Sequence, residues 1–133
     1  AVAKTQQAAS AALIPALLGK AVKGAVSCVV ESVSEVASPD DLRTLAGGVS
    51  QGLGEAPSVV ALGAVHEGRG MVVVCVNAAG VAAGARAGDL VKAASLSMGG
   101  GGGGKPGLAQ GGGPDGSALG QALEDIRTTV TSL

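Results

Sequence analysis

The 133-residue sequence contains no phenylalanine, tyrosine or tryptophan. Without aromatic rings it cannot stack nucleobases in the way that most single-strand binding modules do. Positive charge is also scarce, since nine lysine and arginine residues are set against ten acidic residues, for a formal net charge of −1. A general nucleic-acid binder is usually basic overall. Any contact with nucleic acid must therefore come from local charge and from backbone donors.

Histidine and cysteine, which build most metal and nucleophilic sites, are nearly absent. Cys28 and Cys75 lie inside apolar runs with no histidine nearby, and we expect both to be buried free thiols. The one histidine, His66, is predicted at an exposed hairpin tip and has no partners for a triad or a zinc site. We find no catalytic constellation and expect a non-catalytic domain with no metal or cofactor.

The length and the apolar runs predict a single small domain. At 133 residues the chain has the size of one domain and can bury a real core. Because hydrophobic residues make up 47% of it and none is aromatic, that core must consist of valine, leucine, isoleucine and alanine. No signal peptide is visible and no apolar run is long enough to span a bilayer. We expect a cytoplasmic protein with no membrane partner.

The order of patterns predicts an α/β fold in which helices pack on a mixed sheet. Residues 1–23 are interpreted as a helical linker, the tail of an upstream coiled region, and residues 24–133 as the globular domain. Strands are expected over 26–36, 58–65 and 71–76, the last two joined as a hairpin. Helices are expected after the Ser38-Pro39 cap, within 77–88, from a cap at Asp89 to Met98, and from a cap at Ser117 onward.

A glycine-rich segment, predicted as a loop before the last strand, is the most unusual feature. Gly99–Gly104 followed by Lys105 fits the spacing of a phosphate-binding loop. However, Pro106 stands where such a loop needs a serine or threonine for magnesium, and the segment before it is predicted to be helical rather than a strand. A disordered linker is the alternative, but a short strand over residues 108–110 favours an ordered return to the core. Exposed backbone N–H groups there can hold phosphate or ribose oxygens.

Three segments carry a family resemblance: residues 72–77 (VVVCVN), 87–92 (AGDLVK) and 99–113 (GGGGGGKPGLAQGGG). They resemble the C-terminal end of bacterial-type alanyl-tRNA synthetases, which belongs to the DHH-associated family shared with RecJ-like exonucleases and oligoribonucleases. The likeness extends from Gly24 to the C-terminus. The DHH phosphoesterases typically carry a histidine after the glycines, whereas Lys105 and Ala109-Gln110-Gly111 favour the synthetase branch. Gly107 departs from the synthetases, which usually have an aspartate there.

The resemblance implies a domain that docks on the elbow of alanine-specific tRNA and serves upstream aminoacylation and editing domains. The parent would be an ATP-dependent alanine–tRNA ligase, whose catalytic and editing motifs are absent from this chain. Two other functions stay open: a dimerisation module, and the nucleic-acid-binding domain of a DHH-type exonuclease or of a free-standing alanyl-tRNA editing protein. The residues expected to contact tRNA are Lys105, Gln110, the backbone of Gly101, Gly102, Gly103, Gly104, Gly111 and Gly112, and the flanking cations Lys92 and Arg86.

Overall fold

A computed structural model describes residues 26–32, 39–52, 57–66, 68–105 and 107–131. The elements in chain order are β1 (Ser27–Ser32), α1 (Pro39–Gly52), β2 (Ser58–His66), β3 (Arg69–Val76), α2 (Ala78–Ala82), α3 (Ala87–Ser97), β4 (Gly101–Gly104), β5 (Leu108–Gly113), a 3₁₀ turn (Gly116–Ala118) and α4 (Leu119–Thr131). This arrangement confirms the predicted α/β class. The helix predicted over residues 1–23 lies outside the described residues.

The five strands form one mixed sheet in the order β1-β2-β3-β5-β4. β1 runs parallel to β2, and every other neighbouring pair is antiparallel. The predicted hairpin is confirmed as β2 and β3, which turn at Gly68 with a positive φ of 79°. Only glycine adopts that conformation without steric strain. In the strand order, β4 lies at one edge of the sheet, beside β5.

Both faces of the sheet carry helices. α1 packs on β2 and β3 through its buried stripe of Leu42, Leu45, Ala46 and Val49. α3 and α4 cover the opposite face, and α4 buries an apolar stripe of Leu119, Ala122, Leu123, Ile126 and Val130. Small valine and alanine side chains fill the interior, as the absence of aromatic residues requires.

The third helix begins earlier than predicted. Arg86 is the N-cap residue of α3, and Asp89, the expected cap, lies in the first turn. Gly88 lies in the first turn of this helix and packs against β4, since a Cβ atom added there would lie 3.0 Å from the carbonyl oxygen of Gly104. This close approach holds the first helical turn against the sheet. The Asp89 carboxylate still lies near the positive end of the helix dipole.

The last helix also begins differently. Ser117, its predicted cap, lies inside the 3₁₀ turn, and the Ser117 hydroxyl donates to the Asp115 carboxylate. α4 begins two residues later, at Leu119. The N–H of Gly116 donates to the carbonyl of Gly68 at 3.0 Å, so contact with the β2–β3 turn directs the chain before the helix begins.

The glycine-rich segment is a strand pair rather than the predicted loop. Gly101–Gly104 forms β4, and β5 extends the predicted short strand over residues 108–110 to Gly113. A run of glycines has no alternation of polar and apolar side chains, so the usual pattern of a strand is missing. β4 instead forms because its backbone pairs with β5 while α3 packs against one side of it.

Candidate nucleic-acid interface

The side of the sheet that carries α1 is exposed over β4 and β5. Residues paired directly across antiparallel strands share one face, which places Met71, Gly112 and Gly101 in one row. Val73, Gln110 and Gly103 form the next row. We define the open face as the surface formed by Arg69, Met71, Gly101, Gly103, Lys105, Leu108, Gln110 and Gly112.

A shallow groove of about 600 Å³ runs over this open face. Its lining includes Arg69 and Met71 from β3, Gln110 and Gly112 from β5, and Gly101 from β4. Leu108 lies on the same face and is 42% exposed, although it is a large apolar residue. The groove therefore offers backbone and one amide side chain at its centre, with apolar surface beside them.

The glycines of β4 and β5 differ in what surrounds them. Gly102, Gly104 and Gly111 have no room for a side chain, because added Cβ atoms would lie 2.9 Å from Ser95 Oγ, 2.8 Å from Ala109 Cα and 2.8 Å from Val91 Cγ1, respectively. These three glycines allow α3 and the two strands to approach one another. They are required by packing.

Gly101 and Gly103, in contrast, have open space around them. A Cβ atom added at either residue would meet nothing within 4 Å among the described residues. Neither has a positive φ, since the described glycines with positive φ are Gly68, Gly84 and Gly99. Nothing in the described fold therefore requires glycine at these two positions. A bare backbone surface of this kind is typical of a site that another molecule approaches closely.

Backbone donors with no partner among the described residues follow the edge of β4. Lys105 and Leu108 exchange both backbone hydrogen bonds, at 3.0 and 3.3 Å. Because hydrogen-bonded and non-bonded pairs alternate in an antiparallel ladder, Gly101 and Gly103 also bond to β5. The peptide groups of Gly102 and Gly104 therefore point away from β5, along the edge of the sheet. Such N–H groups are suited to anionic or hydroxyl oxygens.

The fold divides the cations predicted for the site. Lys105 is exposed at the end of β4 and belongs to the open face, and Arg69, at the opposite end of that face, lines the groove. Arg86 and Lys92 are exposed on α3, which packs on the other side of the sheet. Of the predicted residues, the structure brings Lys105, Gln110, Gly101, Gly103 and Gly112 together on one surface.

Sequence reasoning missed three residues of the open face: Arg69, Met71 and Leu108. Arg69 was expected in the hairpin turn, but it is the first residue of β3. Met71 stands in a continuous apolar run with Val72, Val73 and Val74, so no alternation in the sequence marks the face on which it lies. Which side of the strand faces the groove depends on its pairing with β5, and that pairing is not readable from either strand alone.

Cys28 lies apart from this surface, whereas Cys75 pairs directly with Leu108 at its margin. Both are free, and Cys28 is buried as predicted, whereas Cys75 is only half-buried because it shares the open-face side with Leu108. Burial raises the pKa of the Cys28 thiol, and the nearby Arg127 guanidinium partly opposes this effect.

Among the residues that the structure describes, His, Cys, Asp and Glu side chains do not gather in groups of three. Within the same ranges no helix has the length and apolar character needed to cross a membrane.

The fold and the open face define a layered α/β domain whose sheet presents bare glycine backbone at one edge. The DHHA1 domain family matches residues 23–132. The chain belongs to this family.

Sequence and structural relatives agree with that assignment. The chain is 44% identical over 108 residues to an alanine–tRNA ligase of Leifsonia xyli and 46% identical over 121 residues to that of Bifidobacterium longum. These matches cover 81% and 88% of this chain but only 12% and 14% of the ligases. The crystal structure of the C-Ala domain from Aquifex aeolicus alanyl-tRNA synthetase has a TM-score of 0.72 at 24% identity, and the match covers 84% of this chain and 98% of that one. The predicted resemblance to the synthetase C-terminal domain is confirmed.

Proposed function

We propose that this chain is the tRNA-binding C-terminal domain of an alanine–tRNA ligase and that its open face contacts the tRNA. Membership of the DHHA1 family and the similarity to alanine–tRNA ligases over most of the chain support the assignment. In this proposal the domain is non-catalytic and cytoplasmic. It docks on the elbow of alanine tRNA and supports aminoacylation and editing by other domains of the ligase.

The glycines at positions 101 and 103 carry the proposal. Both are exposed, both have room for a side chain, and neither needs the conformational freedom of glycine. A partner that lies directly on the backbone gives a physical reason for the missing side chains. RNA fits that role, since its ribose hydroxyls and phosphate oxygens can accept from the outward N–H groups of Gly102 and Gly104 at the adjacent edge while its backbone lies on Gly101 and Gly103.

Charge sets the expected strength of the contact. Lys105 and Arg69 lie at opposite ends of the open face, and the glycyl centre between them carries no charge. With two cations, no aromatic ring and a net charge of −1, the domain alone should bind tRNA weakly. In the whole ligase, domains that hold the same tRNA would raise the effective concentration and strengthen the contact.

A bulky side chain on the open face tests this proposal. Gly103→Leu should weaken binding of an alanine tRNA transcript by about tenfold or more, equivalent to about 1.4 kcal/mol, because leucine holds the RNA away from the backbone. Gly120→Leu is the matched control, since Gly120 is exposed on α4 and also has nothing within 4 Å of an added Cβ. Equal affinities for the two variants, with both folded by circular dichroism, would remove the open face from the interface.

Self-association and membership of a DHH exonuclease or editing protein stay predictions. Sedimentation of the chain at about 100 μM, well above the dissociation constant of a specific interface, distinguishes a dimerisation module from a monomeric RNA-binding domain. Titration with short single-stranded oligonucleotides distinguishes an exonuclease-type domain, which would bind them as well as it binds tRNA.

A further inference from the structure

The strand β4 is held in the sheet by backbone contacts alone. Among the described residues its one neighbouring strand is β5, and helix α3 lies against one of its sides. The alternation of the ladder gives the inward-facing bonds to Gly101, Gly103 and Lys105. All four of its residues are glycine, so no side chain of β4 packs into either hydrophobic cluster. On the open face, a Cβ atom added at Gly101 or Gly103 would contact nothing within 4 Å among the described residues.

Glycine also makes the strand entropically expensive to order. A glycine loses more backbone freedom on folding than any other residue, so a strand of four glycines is destabilised relative to one with side chains. By comparison, β2 and β3 are rich in valine and bury nearly all of their central residues. The stability of the sheet therefore falls from its centre toward β4.

A buried hydroxyl beneath β4 and β5 adds a specific penalty to the closed arrangement. Ser95 on α3 is 0% exposed, and its Oγ atom has no hydrogen-bond partner among the described residues. It lies under Gly102 and Gly111, close enough that neither could carry a side chain. A buried hydroxyl without a partner loses the hydrogen bonds that it would make to water. Opening of β4 would let the Ser95 hydroxyl form hydrogen bonds to water again.

We propose that β4 is a releasable strand, which detaches from β5 as a local unit while β1, β2, β3 and β5 stay paired. Closing forms the backbone bonds from Gly101 to Lys105, and opening hydrates Ser95 and restores the freedom of four glycines. This proposal concerns the free protein and does not require tRNA. If the proposed function also holds, opening removes Gly101, Gly103 and Lys105 from the open face, so the apparent affinity for tRNA scales with the closed fraction.

Amide hydrogen exchange followed residue by residue by NMR tests the proposal in the chain without tRNA. The ladder alternation provides a control within β5 itself: Gln110 and Gly112 donate to β4, whereas Ala109 and Gly111 donate to β3. Local release of β4 predicts that Gln110 and Gly112 exchange at least about tenfold faster than Ala109 and Gly111. Exchange of both sets at one rate would overturn the proposal, because β5 would then open together with β4 or not open at all.

Two serine variants of α3 test the role of the buried hydroxyl. Ser95→Ala removes the unpartnered oxygen and should slow exchange at Gln110 and Gly112 by about fivefold or more. Ser97→Ala is the matched control, because Ser97 lies on the same helix, is exposed, and donates to the Ala93 carbonyl at 3.4 Å. The gain in helix propensity is the same for both variants. If Ser95→Ala changes exchange no more than Ser97→Ala, the buried hydroxyl does not drive release. Because these measurements contain no RNA, their failure is independent of any failure to bind tRNA.

Discussion

The hydroxyl oxygen of Ser95 on α3 lies so close to Gly111 of β5 that no side chain fits between them. α3 thus packs directly on the backbone of the glycine strands, while the other side of the same strands is exposed. The glycines of these strands therefore have two different structural roles. Gly102, Gly104 and Gly111 serve packing, whereas Gly101 and Gly103 on the open face leave the backbone accessible.

Alanine substitutions should separate these two groups of glycines. Gly111→Ala places its Cβ 2.8 Å from both Gly102 Cα and Val91 Cγ1, and should lower the free energy of unfolding by about 1–3 kcal/mol through overpacking. Gly101→Ala is the control and should be neutral or stabilising by about 0.5–1 kcal/mol, because it meets open space and restricts the unfolded chain. Urea unfolding measures both. A Gly111→Ala variant as stable as the parent would contradict the packing role.

The contact between β2 and α4 is another close approach. A Cβ added at Gly63 would lie 2.6 Å from Leu119 Cδ1, so Gly63→Ala should destabilise the fold by about 1–3 kcal/mol. Leu119 is buried, and Leu119→Ala should cost about 2–5 kcal/mol. In the double variant the new methyl group occupies space that the leucine left. The double variant should therefore be destabilised by less than the sum of the two single variants. Strict additivity in thermal unfolding would rule out the contact.

Stability should also respond to alkaline pH through Cys28. Burial raises the pKa of this thiol above its ordinary value of 9.0, so the folded state keeps the proton when the unfolded chain loses it. The stabilisation is fully present below pH 9.0 and is lost as the pH rises through the folded-state pKa. Wild type should thus lose more unfolding free energy than Cys28→Ala between neutral pH and strongly alkaline pH. Parallel pH profiles for the two proteins would contradict the assignment.

Lys105 and Lys92 should differ in their contribution to tRNA binding. If Lys105 contacts phosphate, Lys105→Ala should reduce the slope of log affinity against log salt by about 0.7–0.9. Lys92→Ala changes an exposed lysine on α3, on the other side of the sheet, and should leave the slope unchanged. The slopes come from binding isotherms of alanine tRNA at several salt concentrations. A loss of slope for Lys92 alone would place the interface on α3 instead.

Much of the fold could be predicted because its core elements carry clear periodicity. The stripe from Leu42 to Val49 and the one from Leu119 to Val130 identify α1 and α4, and the valine runs identify β2 and β3. β4 could not be predicted, because six consecutive glycines show no period at all. The first turn of α3 packs on β4 where Gly88 meets Gly104, a contact between residues far apart in the sequence.

The candidate site was predictable in part. The glycine segment and Lys105 stand out in the sequence, and the family resemblance relates them to tRNA. The division of these residues between the two sides of the sheet is not visible in the sequence, because it follows from the register between β3, β5 and β4. The same register brings Arg69 and Leu108 to the open face, whereas the packing of α3 on the other side of the sheet separates Arg86 and Lys92 from it.

An NMR titration of the chain with alanine tRNA tests the open face most directly. We expect the amide signals of Gly101, Gly103, Gln110 and Gly112 to shift or broaden first, while those of α4, such as Gln121 and Glu124, stay in place. Signals that change first on α4 or along the exposed side of α3, with the open face unchanged, would contradict this expectation.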